Sequence, residues 1–295
     1  MSWEQKLNKY ISIISKELEK HLDITYAKND KLIKAMKYSI MAGGKRLRPI
    51  LAIASYEIFD TNIEKVLPYA CAIEMIHTYS LIHDDLPAMD DDVYRRGKLT
   101  NHIVFGEGVA ILAGDGLLNY AFEIMINETL KHKNMRPYID SMNVIAKASG
   151  INGMIGGQVV DIESNNQDMD AETLDYIHLN KTAALIIAPL KVGAIIAGAD
   201  ENQINDMEHI GRSLGLAFQI RDDILDIIGD KSKLGKDIGS DEDQSKFTYP
   251  SLYGMEKSIN KVKDLTYQAQ KRLEPYGEKA KFLYELTEYL IGREI

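Results

Sequence analysis

For most of its length the chain alternates apolar and polar residues at a spacing near 3.6, the period of an amphipathic helix. Residues 3–22 carry Leu7, Ile11, Ile14, Leu18 and Leu22 on one stripe. A second helix is expected over 30–41, stopped by Gly43-Gly44, and a third opens at Pro49 and runs apolar to Phe59. Further helices are expected at 64–85, 107–131, 136–160, 171–199, 201–228 and 256–274, with a short one at 278–291. Pro189, eight residues after Lys181, is expected to kink the helix that holds it. Long strand-like alternation is absent, and Gly106 to Gly108, Asn165 to Asp168 and Gly229 to Gly239 mark joints. No Pro- or Ser-rich linker and no short repeat divides the sequence. The pattern predicts an all-α fold: a single domain, residues 1–295, built as an antiparallel helix bundle around a central cavity.

Two places break the pattern. His77 to Gly97 reads HTYSLIHDDLPAMDDDVYRRG and holds Asp84, Asp85, Asp90, Asp91 and Asp92, followed by Arg95 and Arg96. The second, QIRDDILD, holds Asp222, Asp223 and Asp226. Aspartate is a poor helix-interior residue because its short side chain competes for the backbone. Yet an apolar helical run enters each cluster: Cys71 to Ile76 before the first, Leu214 to Phe218 before the second. Asp222 and Asp226 stand four apart, on one helix face. Two unit charges at about 4 Å repel by roughly 4 kcal/mol at an effective dielectric of 20. Such crowding calls for raised pKa values or a cation between the carboxylates. Hard oxygen ligands of this kind favour Mg²⁺ or Mn²⁺, and Mg²⁺ is commonly held by one or two carboxylates together with substrate phosphates. A lone DDD is more often a solvated acidic loop; the second cluster and the arginine pair reverse that and favour a shared metal site. The clusters lie about 140 residues apart, so tertiary packing must bring them together across the cavity.

Composition narrows the partners. The 295 residues are 45% apolar and 27% charged, an ordinary globular balance. A net charge of −9 disfavours general nucleic-acid binding, so no nucleic-acid partner is expected, and an anionic substrate would need local Lys/Arg groups and metal ions. The one cysteine, Cys71, allows no intramolecular disulfide, fits a reducing cytoplasm, and sits in an apolar run as a small core residue. The opening MSWEQKLNKY is too charged for a signal peptide. The most apolar stretch, Ala183 to Ala199, is interrupted by Pro189 and Lys191, and is expected as a buried helix; no membrane anchor is expected.

Smaller motifs carry two readings each. In Gly43-Gly44-Lys45-Arg46-Leu47-Arg48-Pro49, glycines let a ligand approach the backbone beside three cations, or the stretch is a solvated basic loop. His77, seven residues before Asp84, lies two helical turns away on the same face, and either looks into the same cavity or is a satisfied core histidine. Arg95 and Arg96 could fork onto diphosphate oxygens or pair with the neighbouring aspartates. Gly156-Gly157-Gln158-Val159-Val160-Asp161 places small residues beside a polar pair, or simply allows close helix packing. Lys181, just before an apolar run, needs an anionic partner. Gln219 stands one turn before Asp222. Gly235-Lys236-Asp237 and Lys246-Phe247-Thr248-Tyr249-Pro250 could close over the site or form an exposed loop.

Taken together, GGKRLRP, HDDLPAMDDDVYRRG, GGQVVD, KTAAL, QIRDDILD and GKDIGSDEDQSKFTYP, spanning residues 36–254, resemble the trans-isoprenyl diphosphate synthase family, most closely its bacterial farnesyl diphosphate synthases. The resemblance implies an all-α bundle around a deep central cavity, a homodimer, and head-to-tail condensation of isopentenyl diphosphate with allylic diphosphates. Asp84, Asp85 and Asp90, with Asp222, Asp223 and Asp226, are implied as Mg²⁺ ligands. Arg95, Lys181, Gln219, Lys236 and Lys246 match groups around the allylic diphosphate. Gly44, Lys45, Arg48, His77 and Arg96 match the isopentenyl diphosphate pocket, and Thr182 and Gln219 match polar groups near a developing carbocation. Tyr79, five residues before Asp84, and the Leu86 to Met89 spacer match the short-chain enzymes and imply a fifteen-carbon product. A geranylgeranyl or longer-chain synthase, a terpene cyclase and a non-catalytic partner subunit are the competing expectations. In the C-terminal Gly292-Arg293-Glu294-Ile295 the more basic tail of some relatives is reduced to Arg293, which argues against tail closure.

Overall fold

The computed structural model describes residues 2–24, 28–164, 170–233 and 248–291. Helix α1 (Trp3–His21) starts at a reciprocal cap: the Gln5 N–H donates to the Ser2 hydroxyl at 3.3 Å, and the Ser2 N–H donates to the Gln5 side chain at 3.0 Å. Helices α2 (Asp30–Ile40), α3 (Leu47–Phe59) and α4 (Leu67–Asp84) follow. A two-stranded hairpin pairs β1 (Tyr94–Arg95) with β2 (Lys98–Leu99). Beyond it come α5 (Asn101–Phe105), α6 (Glu107–Thr129), α7 (Arg136–Ser149), α8 (Met154–Ser164) and α9 (Ala171–Ile177). A π-helical segment, His178–Ala183, joins α9 to α10 (Ala184–Ile196). The chain continues through α11 (Glu201–Lys233), α12 (Tyr249–Tyr253), α13 (Met255–Leu273) and α14 (Lys281–Ile291).

Pattern decides position. Helix α4 is apolar on every side and buries nearly all its residues from Leu67 to Tyr79; α10 is equally apolar. These two occupy the interior, α4 against α3 and α6, and α10 against α3, α7 and α11. The amphipathic α1, α2, α7, α13 and α14 wrap them with one face each. The main apolar core draws residues from Tyr10 to Leu290, and a smaller cluster lies where α11 meets α13. Cys71 is buried in that core. Helices α6 and Ala171–Ile196 are long and apolar enough to span a bilayer by composition alone, but both are packed into the bundle.

The architecture is the expected all-α bundle, with local departures. The expected helix 136–160 is two helices, because Gly150 takes an extended backbone and a turn follows to Gly153. The helix expected over 171–199 runs through Pro189, and a π segment lies about two to three turns before that proline. The hairpin went unforeseen: Arg96 and Gly97, both at positive φ (53° and 73°), make the tight turn that closes two strands of two residues each. Helix α11 runs past Ile228 to Lys233. The expected joint at Asn165 to Asp168, the ligands Lys236 and Lys246, and the tail from Gly292 lie outside the described residues.

Candidate active site

The first acidic motif is built by a helix end, a back-folded loop and the hairpin. Helix α4 delivers Asp84 in its last turn, with Asp85 as C-cap. The loop then doubles back: the Asp90 N–H donates to the Asp84 carbonyl at 2.9 Å, the Met89 N–H donates to the Leu86 carbonyl at 2.8 Å, and Asp91 takes a positive φ of 53°. The four-residue spacer therefore sets Asp90 beside Asp84. Burial pushes the Asp84 carboxyl up to about 6; Lys181 and Arg95 oppose the shift, while Asp90 and Asp85 add to it. Burial also raises Asp85, which is 3% exposed, against the pull of Arg95. Hairpin residue Arg95 binds Asp85 through Nε and Asp92 at 2.8 Å through Nη2. In this structure its guanidinium serves the aspartates, the second of the two readings open to it.

The other arginine of the pair turns the opposite way. Arg96 donates to the Gly43 carbonyl at 2.5 Å, and its guanidinium lies where a Cβ on Gly44 would sit, 2.6 Å from Cζ. Gly44, at φ 112°, thus admits a side chain of the protein itself. Of the cations that follow, Arg46 is structural: it is 4% exposed and binds Glu74 at 2.8 Å and the Ile40 carbonyl at 2.5 Å. Lys45 is exposed. Arg48 lines the cavity described below, and its Nε is buried without a hydrogen-bond partner. Burial lowers Arg48 to about 10; Glu74 and Asp222 sustain its charge, and Arg96 opposes it. Burial, then Arg48, Arg96, Arg95 and Arg46, hold His77 well below its ordinary value, so this ring is neutral at pH 7.

The second motif lies on α11, where the three aspartates differ. Asp222 is half-buried and Asp226 exposed, whereas Asp223 is 6% exposed and saturated with partners. Its Oδ1 accepts from Gln219 Nε2 at 3.0 Å, its Oδ2 accepts from the Tyr249 N–H at 2.9 Å, and His178 Nε2 lies 3.5 Å from Oδ2. Gln219, expected to accompany Asp222, is bonded four residues on to Asp223 instead. Across from α11 runs the π segment, pressed between two glycines. A Cβ on Gly157 of α8 would meet the Lys181 backbone at 2.3 Å, and one on Gly215 of α11 would meet Ala183 at 2.4 Å. The wide turn aims three side chains at three neighbours: His178 at Asp223, Lys181 at Asp161 (2.5 Å), and Thr182 at Gln219 (2.8 Å). Both readings of the GGQVVD stretch hold together, since Gly157 packs closely and Asp161 pairs with the lysine.

These elements surround a cavity of about 410 Å³. His77, Tyr79, Ser80, His83, Asp84 and Met89 line it from α4 and the loop, Arg48 from α3, residues of α8 from the side, and Lys181 and Thr182 from the π segment. His77 and Asp84 do share one face. Arg48 and Asp84 line the same cavity, and Asp222 of the second motif helps to sustain the charge of Arg48. Among the described residues no three His, Cys, Asp or Glu side chains close into a ready-made metal cage. Asp92, Asp161, His83 and His178, partners of the expected residues, were not singled out as site residues from sequence. A 3- or 4-residue helical spacing relates His178 to Lys181 and Thr182, which was the available signal.

A family model described as polyprenyl synthetase matches residues 29–286, and with it the decision is made. The chain belongs to the polyprenyl synthetase family. A farnesyl diphosphate synthase from Bacillus subtilis is 41% identical over 292 residues, covering 98% of this chain and 99% of its own. A geranylgeranyl diphosphate synthase from Cyanophora paradoxa is 46% identical, covering 88% of this chain and 86% of its own. The crystal structure of an FPP/GFPP synthase from Zymomonas mobilis superposes with a TM-score of 0.88 at 34% identity, covering 98% of both chains. As a polyprenyl synthetase this chain is a prenyltransferase, and its relatives bear the names of both shorter- and longer-chain synthases.

Proposed function

We propose that this protein condenses isopentenyl diphosphate with dimethylallyl and then geranyl diphosphate to give farnesyl diphosphate. One observation carries the fifteen-carbon product: Tyr79 lines the cavity about one helical turn from Asp84 on the same helix, where a bulky ring limits how far a growing chain extends. Asp84, Asp85, Asp90, Asp222 and Asp226 are the residues that would hold Mg²⁺ or Mn²⁺. The pKa of Asp84, raised by burial and further by the neighbouring Asp90, is the mark of carboxylates that a cation would relieve, and a metal arriving with a diphosphate needs only one or two of them. Bound there, the metal supplies Lewis-acid neutralisation of leaving-group charge.

The protein's own groups account for the rest. Arg95 and Lys181 border the departing diphosphate and balance the negative charge it gains as the allylic C–O bond breaks. Thr182 and Gln219 face the allylic cation left behind. Gly44, Lys45, Arg48, His77 and Arg96 hold isopentenyl diphosphate, with the neutral imidazole adding a polar contact and no second charge. The double bond of isopentenyl diphosphate forms the new C–C bond, and the proton it loses passes to the released pyrophosphate. The apolar walls from α8 exclude water that would quench the cation. Lys236 and Lys246 complete the diphosphate site in this reading, as a homodimer working in the cytoplasm.

Incubating the purified chain with Mg²⁺, dimethylallyl diphosphate and labelled isopentenyl diphosphate, then sizing the products, tests the proposal. A fifteen-carbon product supports it. A twenty-carbon product replaces it with the geranylgeranyl reading, to which the Cyanophora relative lends weight. No condensation by the intact chain would leave a partner subunit, and turnover without isopentenyl diphosphate a cyclase.

A further inference from the structure

The hydrogen bonds joining α11 to the π segment run in one direction only. The Asp223 carboxylate is an acceptor. The Tyr249 N–H, a donor without choice, engages its Oδ2 at 2.9 Å, and His178 Nε2 faces the same oxygen at 3.5 Å. Oδ1 is left for Gln219, which must present its amide NH₂ there, at 3.0 Å. That fixes which way the amide points: the Gln219 carbonyl turns to Thr182 and accepts its hydroxyl proton at 2.8 Å. Thr182 lines the cavity with its proton already committed, so the hydroxyl offers only lone pairs to whatever the cavity holds.

We infer that Asp223 is a positioning residue, which through Gln219 fixes the polarity of the Thr182 hydroxyl so that an oxygen lone pair, and never the proton, faces the reacting centre. This rests on the prenyl-transfer reading above, in which positive charge develops in the cavity. The three neighbouring aspartates then divide their work: Asp222 and Asp226 serve the metal and diphosphate, and Asp223 holds a relay. His178, 4% exposed, packs behind the relay with its Nε2 3.5 Å from Asp223 Oδ2. An asparagine at 223 would break the direction, because an amide can donate as well as accept. Gln219 could then rotate, and Thr182 could turn its proton inward.

Two measurements test this. The first is a double-mutant cycle on kcat with Asp223→Asn and Thr182→Val. Each single change is expected to lower kcat by about tenfold to a hundredfold with KM within about threefold of wild type, and the double variant to be no slower than Thr182→Val alone. Losses that multiply would overturn the inference, since a residue acting only through the hydroxyl has nothing left to act on. The second is binding of Mn²⁺ with inorganic pyrophosphate, followed by the Mn²⁺ spin resonance signal. Asp223→Asn should bind within about twofold of wild type while Asp222→Asn binds at least tenfold more weakly. Equal weakening in both would make Asp223 a metal ligand and sink the relay. If Asp223→Asn does not fold, Gln219→Leu replaces it in the same cycle. A wild-type chain without prenyl transfer would defeat the underlying reading instead, while leaving the Mn²⁺ comparison informative.

Discussion

Tyr79 and His83, one turn apart on α4, meet ring to edge, with centroids 5.7 Å apart and planes at 78°. His83 is fixed in turn by its Nε2 at 3.0 Å from the Ile111 carbonyl of α6. The ring of Tyr79 is therefore backed by a second ring that a neighbouring helix holds in place. Truncating it removes the stop from the cavity wall. Tyr79→Ala is expected to release products of twenty carbons or more, read by chromatography of labelled product. Tyr79→Phe should keep the wild-type product, because the hydroxyl is buried without a hydrogen-bond partner and contributes volume only. Unchanged products in Tyr79→Ala would remove this residue as the limit.

The same pair can be disturbed from outside the cavity. A Cβ on Gly114 of α6 would lie 2.1 Å from His83 Nε2, so Gly114→Ala must displace the imidazole and, with it, the support of Tyr79. The expected outcome is a changed ratio of fifteen- to twenty-carbon products at a cost in stability of about 1–3 kcal/mol. Product ratio and denaturant midpoint, measured on one preparation, check both halves.

The mouth of the basic pocket depends on one buried ion pair. The side chains of Arg46 and Glu74 are 3% and 2% exposed and sit 2.8 Å apart, with Arg46 at a positive φ of 49° as the N-cap of α3. Removing one charge strands the other. Glu74→Ala is expected to destabilise the fold by about 3–5 kcal/mol, measured by urea unfolding. It should also raise KM for isopentenyl diphosphate, since Lys45 and Arg48 flank the displaced residue.

Stability should fall on mild acidification. His77 titrates well below 6.5 when folded and near its ordinary value when unfolded. Between those two values the unfolded chain binds more protons, so unfolding free energy rises with pH there and is lost as pH drops below about 6.5. His21 and His178 are lowered as well, chiefly by burial, and act with the same sign, whereas Asp84, raised by burial to about 6, acts against them as pH falls through that value. Melting temperatures at pH 7.5 and 5.5 should differ, and His77→Gln should narrow the difference.

Much of this was legible in the sequence, for a physical reason: a helix buried on all sides needs apolar residues on all sides, so α4 and α10 stood out, and aspartates at the end of such a run stood out more. The shared face of His77 and Asp84 followed from a seven-residue spacing on α4. What stayed hidden depends on direction. No spacing rule told that Arg95 would turn to Asp85 and Asp92 while Arg96 turned to Gly43, because Arg95 ends a strand and Arg96 opens the reverse turn with Gly97. Nor did it tell that Asp223, between two aspartates, would face inward to Tyr249. Likewise the break at Gly150 looked like the interior of one long apolar helix.

The π segment has a consequence for how this sequence can vary. A π turn holds one more residue than the α turn it replaces. Deleting a single residue between His178 and Lys181 would restore regular winding and remove the wide turn, while the helix beyond it kept its register. Lys181 and Thr182, within that turn, would then lose their aim at Asp161 and Gln219, although not one residue of either pair had been altered. Length, at this one place, is as much a part of the chemistry as identity, and a shortened chain would be expected to fold its bundle and yet lose its bearing on the cavity.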